Sequence, residues 1–222
     1  EVEISGSKNA ALPIMAASLL FDSPVLLRNV PELMDVSTMA RVMESLGIRT
    51  ERSGHEMRLS PVGKRTHKAP YELVKTMRAS IYVLGPLLAR LGRAEVALPG
   101  GCVIGLRPVD MHIRGLKAMG AKISMSHGYI EARAGKLKGV EINLDTVSVG
   151  ATAHLMMTAT LAEGETVIYN AAKEPHISDL AGFLQSAGAE ISGAGTDCIR
   201  VRGVRRLKTS GYAITGDYIE AG

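Results

Sequence analysis

Asp35-Val-Ser-Thr-Met-Ala-Arg-Val-Met-Glu-Ser-Leu-Gly47 is the stretch from which the fold can be read, because its pattern recurs. Val36, Met39, Ala40, Met43 and Leu46 fall on one face at helical spacing, and Gly47 follows as a stop. Val109, His112, Ile113, Leu116 and Met119 repeat that spacing ahead of Gly120. Ile177, Leu180, Ala181, Leu184 and Ala187 repeat it again ahead of Gly188. After each of these helices comes an alternating pair of strands, over 48–59, 121–132 and 189–201. Before each comes a helix that is apolar nearly all round, then a strand: 10–20 with 25–28, 80–91 with 95–98, and 151–161 with 166–169.

The unit is therefore helix, strand, helix, strand, strand, returning about every seventy residues, and three copies predict closure into a pseudo-threefold α/β domain. A helix that is apolar all round belongs in a core, whereas an amphipathic one covers it. The expected arrangement has buried helices inside and strand pairs outside. His112 stands where the other two units carry Met39 and Leu180, so its ring is expected on the buried face.

Composition sets the bounds. At 222 residues the chain can bury a substantial core, and without tryptophan and with only two phenylalanines that core must be aliphatic. A net charge of +4 suits small anionic ligands, and no Lys/Arg run with interleaved aromatics argues for nucleic acid. The longest apolar run, 81–89, is too short to span a bilayer, and Glu1-Val-Glu-Ile4 is no signal sequence, so a soluble cytoplasmic protein is expected. Two cysteines imply neither a disulfide framework nor a cysteine-based zinc site, and no metal is expected.

Pro99-Gly-Gly-Cys-Val-Ile-Gly-Leu-Arg-Pro-Val-Asp-Met-His112 carries the chemistry. Cys102 stands between glycines, with Arg107 five residues on, and nearby positive charge favours the reactive thiolate. A guanidinium also matches phosphate or carboxylate oxygens two at a time. The Gly100-Gly-Cys102 segment is an insertion relative to the sharp Asn29-Val-Pro31 and Asn170-Ala-Ala172 connections, and extra loop length is where function is expected. Cys198 lies in an alternating strand pattern and reads as structural. Each buried helix opens on polar residues: Ser5-Gly-Ser-Lys-Asn9, Met77-Arg-Ala-Ser80 and Val147-Ser-Val-Gly-Ala-Thr152. Helix N-termini attract anions, so threefold closure is expected to gather Lys8, Arg78 and Arg107 around one pocket with Cys102.

At these residues the chain resembles the UDP-N-acetylglucosamine enolpyruvyltransferases. The matching motifs also include Ala172-Lys-Glu-Pro175 and Gly216-Asp-Tyr-Ile-Glu-Ala-Gly222, and they run the length of the chain. The resemblance implies an inside-out α/β barrel domain, one of two in proteins about twice this length. Segment 1–7 would then arrive from the second domain, 8–214 form the three-repeat domain, and 215–222 return.

The implied reaction transfers the enolpyruvyl group of phosphoenolpyruvate to the 3-hydroxyl of UDP-N-acetylglucosamine with release of phosphate, in peptidoglycan synthesis. It implies no organic cofactor and no metal. It makes Cys102 the proton donor, a thiol open to epoxides of the fosfomycin type, and Lys8, Arg78 and Arg107 the holders of phosphate and carboxylate. Asn9 would orient substrate. Arg107, Pro108, Val109, Asp110, Met111 and His112, with Thr146, Val147, Ser148, Val149 and Gly150, would line the nucleotide-sugar site. Thr146 stands where some relatives carry lysine, and Tyr218 where arginine is common. Two other readings are a shikimate 3-phosphate enolpyruvyltransferase, which lacks a Gly-Gly-Cys loop, and a non-catalytic anion-binding half.

Overall fold

A computed structural model describes residues 5–74, 77–98, 107–208 and 211–217, with the backbone alone at 107 and 108. The three amphipathic helices form as the repeat predicts: α2 (Met34–Ser45), α5 (Arg107–Ala118) and α7 (Pro175–Ser186). The glycines after them, Gly47, Gly120 and Gly188, have φ of 89°, 97° and 97°. That left-handed conformation ends a helix cheaply only without a Cβ.

The buried helices are α1 (Lys8–Ala17), α4 (Leu84–Leu91) and α6 (Val149–Ala159), and the one-turn α3 (Tyr71–Val74) precedes the second of them. Every residue from Ala151 to Thr160 is buried. The second buried segment differs from expectation, because 78–83 forms a 3-10 turn before α4 begins. Pro86 has no N–H to give the Tyr82 carbonyl. The Gly85 N–H is also lost to the ladder, since it donates to His154 Nε2 at 2.8 Å. With two successive α-type bonds missing, the preceding turn tightens.

The strands are β1 (Val25–Arg28), β2 (Ile48–Ser53), β3 (Glu56–Pro61), β4 (Lys68–Ala69), β5 (Arg93–Ala97), β6 (Lys122–Ser126), β7 (Tyr129–Arg133), β8 (Glu141–Asn143), β9 (Glu165–Tyr169), β10 (Glu190–Ser192), β11 (Cys198–Arg202) and β12 (Gly211–Ala213). Among the described residues they make three four-stranded sheets, β12-β1-β3-β2, β4-β5-β7-β6 and β8-β9-β11-β10. In each, three strands are antiparallel, and the short outer strand β12, β4 or β8 lies parallel to its neighbour. The repeat read from sequence lacks these fourth strands. β12, late in the chain, completes the sheet of β1, so the threefold arrangement closes on itself. β3, β7 and β11 alternate buried and less buried residues, as expected when one face of a sheet meets a core.

Asn29 and Asn170 occupy equivalent corners at φ of 55° and 56°. Their amides donate to the carbonyls of Ile214 at 3.0 Å and Leu144 at 2.8 Å, just beyond β12 and β8. Phe21 and Phe183, both fully buried, meet at 5.5 Å between ring centres, and Tyr212 packs edge-on to Phe183 at 5.5 Å.

Asp179 of α7 fastens this closure. Its carboxylate accepts from the Tyr212 hydroxyl at 2.6 Å and from the Thr215 N–H at 3.1 Å. Burial and that bond push the phenol's pKa upward. Ser7 N–H then donates to the Thr215 carbonyl at 2.9 Å, and Asp217 N–H to the Ser5 carbonyl at 2.8 Å, so segments 5–7 and 215–217 run side by side. Asp179→Ala leaves the Thr215 N–H without its acceptor, while the Tyr212 hydroxyl keeps the Asp179 backbone carbonyl at 3.1 Å, and is expected to cost about 2 kcal/mol. Urea unfolding should show a lower midpoint at unchanged slope; an unmoved midpoint would contradict the role given to this carboxylate.

Candidate functional site

The first turns of α1, of the 78–83 segment, of α6 and of α7 meet around a cleft of about 340 Å3. α1 supplies Asn9, Leu12 and Pro13, and the 3-10 turn supplies Ala79 and Tyr82. Val149, Glu174 and His176 complete it from the third unit. Two of the three expected cations begin the segments that line this cleft: Lys8 directly precedes Asn9, and Arg78 directly precedes Ala79. Cys102 and Tyr218 lie outside the described residues, and Arg107 and Pro108 are described by backbone alone, as the first turn of α5.

Lys8 Nζ pairs with Asp35 at 3.1 Å, with both side chains more than 40% exposed at 42% and 43%. An ion pair so hydrated is worth about 0–1 kcal/mol, little enough for an arriving phosphate or carboxylate to replace the aspartate. Pro13 cannot donate to the Asn9 carbonyl one turn back, so α1 lacks that α-type bond near the cleft. Arg78 and Asn9 are exposed. The Oε2 atom of Glu174 is buried and finds no hydrogen-bond partner among the described residues.

The Val147–Gly150 stretch forms the start of α6. Ser148 caps it, its hydroxyl accepting from the Ala151 N–H at 3.2 Å, while Val147 stands 57% exposed. Thr146 is exposed and donates weakly to the Met111 sulfur at 3.8 Å, so the 107–112 and 146–150 stretches adjoin. Beside them a groove of about 200 Å3 runs between Met111 and Arg114 of α5 and Asn143 and Leu144 at β8. Val109 is buried and Asp110 half-buried.

His112 is 4% exposed, as its place in the repeat predicts, and its Nδ1 lies 3.1 Å from Nδ1 of His154. Burial lowers the His112 pKa to about 4 and holds His154 well below the ordinary imidazole value, with the neighbouring ring adding to it. Both rings are therefore neutral near pH 7. Tyr82 is neutral too, its hydroxyl pushed up to about 12 by burial.

Tyr82, Glu174, His176, Asp35 and His154 are cleft or near-cleft residues that the sequence reading left without a role. Glu174 falls inside the Ala172–Pro175 motif, which was the available signal. The others are joined to the site by folding alone.

The family model for EPSP synthase (3-phosphoshikimate 1-carboxyvinyltransferase) matches residues 1–222. The chain belongs to the EPSP synthase family. Within reach of that family, it is 54% identical over 223 residues to UDP-N-acetylglucosamine 1-carboxyvinyltransferase of Trichlorobacter lovleyi, covering 100% of this chain and 53% of that protein. It is likewise 54% identical to the protein of the same name from Gloeobacter violaceus, covering 100% of this chain and 49% of that one. The chain thus spans about half the length of the curated relatives it matches.

Solved structures agree on the fold. The enolpyruvyl transferase NikO from Streptomyces tendae superposes with a TM-score of 0.86 at 19% identity, over 99% of this chain and 52% of that one. EPSP synthase from Acinetobacter baumannii superposes with a TM-score of 0.79 at 16% identity, over 99% and 50%. The inside-out α/β arrangement of the family is the arrangement found here. Among the described residues no helix is long and apolar enough to cross a membrane.

Proposed function

We propose that this chain is the cysteine-bearing half of a UDP-N-acetylglucosamine 1-carboxyvinyltransferase acting in peptidoglycan synthesis. The observation that carries this reading is the unbroken match, at 54% identity over the whole chain, to proteins of that name. In the reaction the sugar's 3-hydroxyl gives its proton to a carboxylate base of the second domain and adds to C2 of phosphoenolpyruvate, while a proton from the thiol reaches C3. The C2–O bond to phosphate then breaks, a proton leaves C3, and the enolpyruvyl ether and phosphate depart.

Cys102 delivers the proton, and Lys8, Arg78 and Arg107 hold the phosphate and carboxylate. Preorganised cations at a water-poor site stabilise developing charge, which is the main demand of this chemistry. Asn9 orients substrate at the start of α1. Residues 107–112 and 146–150 hold the nucleotide sugar along the adjoining starts of α5 and α6. A second domain, linked through the paired segments 5–7 and 215–217, supplies the opposite wall and closes the site against water.

Isothermal titration with UDP-N-acetylglucosamine and with shikimate 3-phosphate separates this reading from its relative within the fold. Saturable binding of the first and none of the second is expected. Preference for shikimate 3-phosphate would overturn the substrate assignment.

A further inference from the structure

The two buried histidines are joined in a way that settles where their protons sit. His154 Nε2 lies 2.8 Å from the Gly85 backbone nitrogen, which can only donate. Nε2 must therefore be the unprotonated nitrogen of a neutral ring, and the proton of His154 is on Nδ1. That Nδ1–H lies 3.1 Å from His112 Nδ1, which must accept. The proton of His112 is consequently on Nε2.

Nε2 of His112 points toward the first turn of α6. It would lie 3.3 Å from a Cβ at Gly150, with the Tyr82 hydroxyl 3.9 Å from the same point. Gly150 has no Cβ, which lets the edge of the His112 ring pack close against the α6 backbone, next to Val149, which lines the cleft. The Gly85 amide thus communicates, through two rings, with a donor at the junction of 107–112 and 146–150.

We propose that His154 is a positioning residue that locks His112 as a neutral Nε2–H donor toward ligand held at that junction. The ligand's chemistry rests on the function proposed above: an oxygen of the nucleotide sugar, accepting from Nε2–H. The lock itself rests only on the three hydrogen-bonding groups. A free histidine would populate both tautomers and take up a proton between pH 5 and 8. The titratable groups facing the pair, among the described residues, are the two rings themselves on α5 and α6 and Tyr82 of the 78–83 turn. All are neutral across that range. The donor's strength is then constant where an ordinary histidine would vary.

Long-range 1H–15N correlation on labelled protein reads the tautomers directly. The expected result is Nδ1–H for His154 and Nε2–H for His112, unchanged from pH 7.5 to pH 5.5. Two variants test the consequence, with Kd for UDP-N-acetylglucosamine as the second readout. His154→Leu removes the donor and should give His112 mixed tautomers and about tenfold weaker binding. His154→Asn loses the acceptor for Gly85 just as leucine does, but places an amide N–H near the Nδ1 position. It should restore the His112 tautomer and most of the affinity. A merely structural His154 predicts equal loss in both variants with the His112 tautomer unmoved, and that result overturns the proposal. So does wild-type His112 carrying its proton on Nδ1. If the tautomers are as stated and the wild type ignores UDP-N-acetylglucosamine, the lock stands and the ligand assignment falls.

Discussion

Gly85→Ala is expected to lower the melting temperature by about 6–12 °C, on about 2–4 °C per kcal/mol for a domain of this size. A methyl group there would lie 1.9 Å from the Thr158 hydroxyl and 2.7 Å from His154 Nε2. Thr158 and His154 are fully buried on α6, so neither can swing aside into solvent. α4 and α6 would have to separate at the centre of the domain. Overpacking of this kind costs about 3 kcal/mol, and a strained or broken bond from the Gly85 N–H adds to it. Gly135→Ala provides the comparison, because a Cβ there meets nothing within 4 Å and φ is not in the left-handed region. It should melt with the wild type. Equal melting of the two variants would show that helix contact at Gly85 does not set the packing of the core.

The second large effect falls on chemistry. In the full two-domain protein, Lys8→Met is expected to lower kcat/KM by about a thousandfold, the scale of losing one preorganised charged contact to a transition state. Stability should hardly change, because the Lys8–Asp35 pair is half exposed and worth at most about 1 kcal/mol. A tenfold loss or less, in a protein that melts normally, would remove Lys8 from the anion site.

How far the sequence carries this account depends on the range of the interaction concerned. Helix stops at Gly47, Gly120 and Gly188 are local events, each fixed by one residue's freedom at positive φ, and they were legible. So was the burial of His112, which follows from its register with Met39 and Leu180. The fourth strands were not. β4, β8 and β12 are two or three residues long, too short to display a period of two, and each exists because a strand elsewhere offers it an edge. Asn29 and Asn170 mark sharp connections in the sequence, but their amides' acceptors lie 185 and 26 residues away.

The 3-10 turn at 78–83 had a local cause in Pro86, yet the second cause is His154, whose ring takes the Gly85 N–H from 69 residues away. Long-range pairing also explains why His154 read as one more position on a buried helix. Lys8 and Arg78 begin segments that line one cleft; Cys102 and the side chain of Arg107 lie outside the described residues.

The central claim is that this chain forms one wall of an enolpyruvyl transfer site. It is tested most directly by phosphate release from phosphoenolpyruvate, measured with the two-domain protein and with this chain alone. The account predicts release that requires UDP-N-acetylglucosamine, is lost in Cys102→Ala, and is undetectable with the single domain although it melts cooperatively. Release that proceeds without the nucleotide sugar, or near-normal turnover by the single domain, would contradict it.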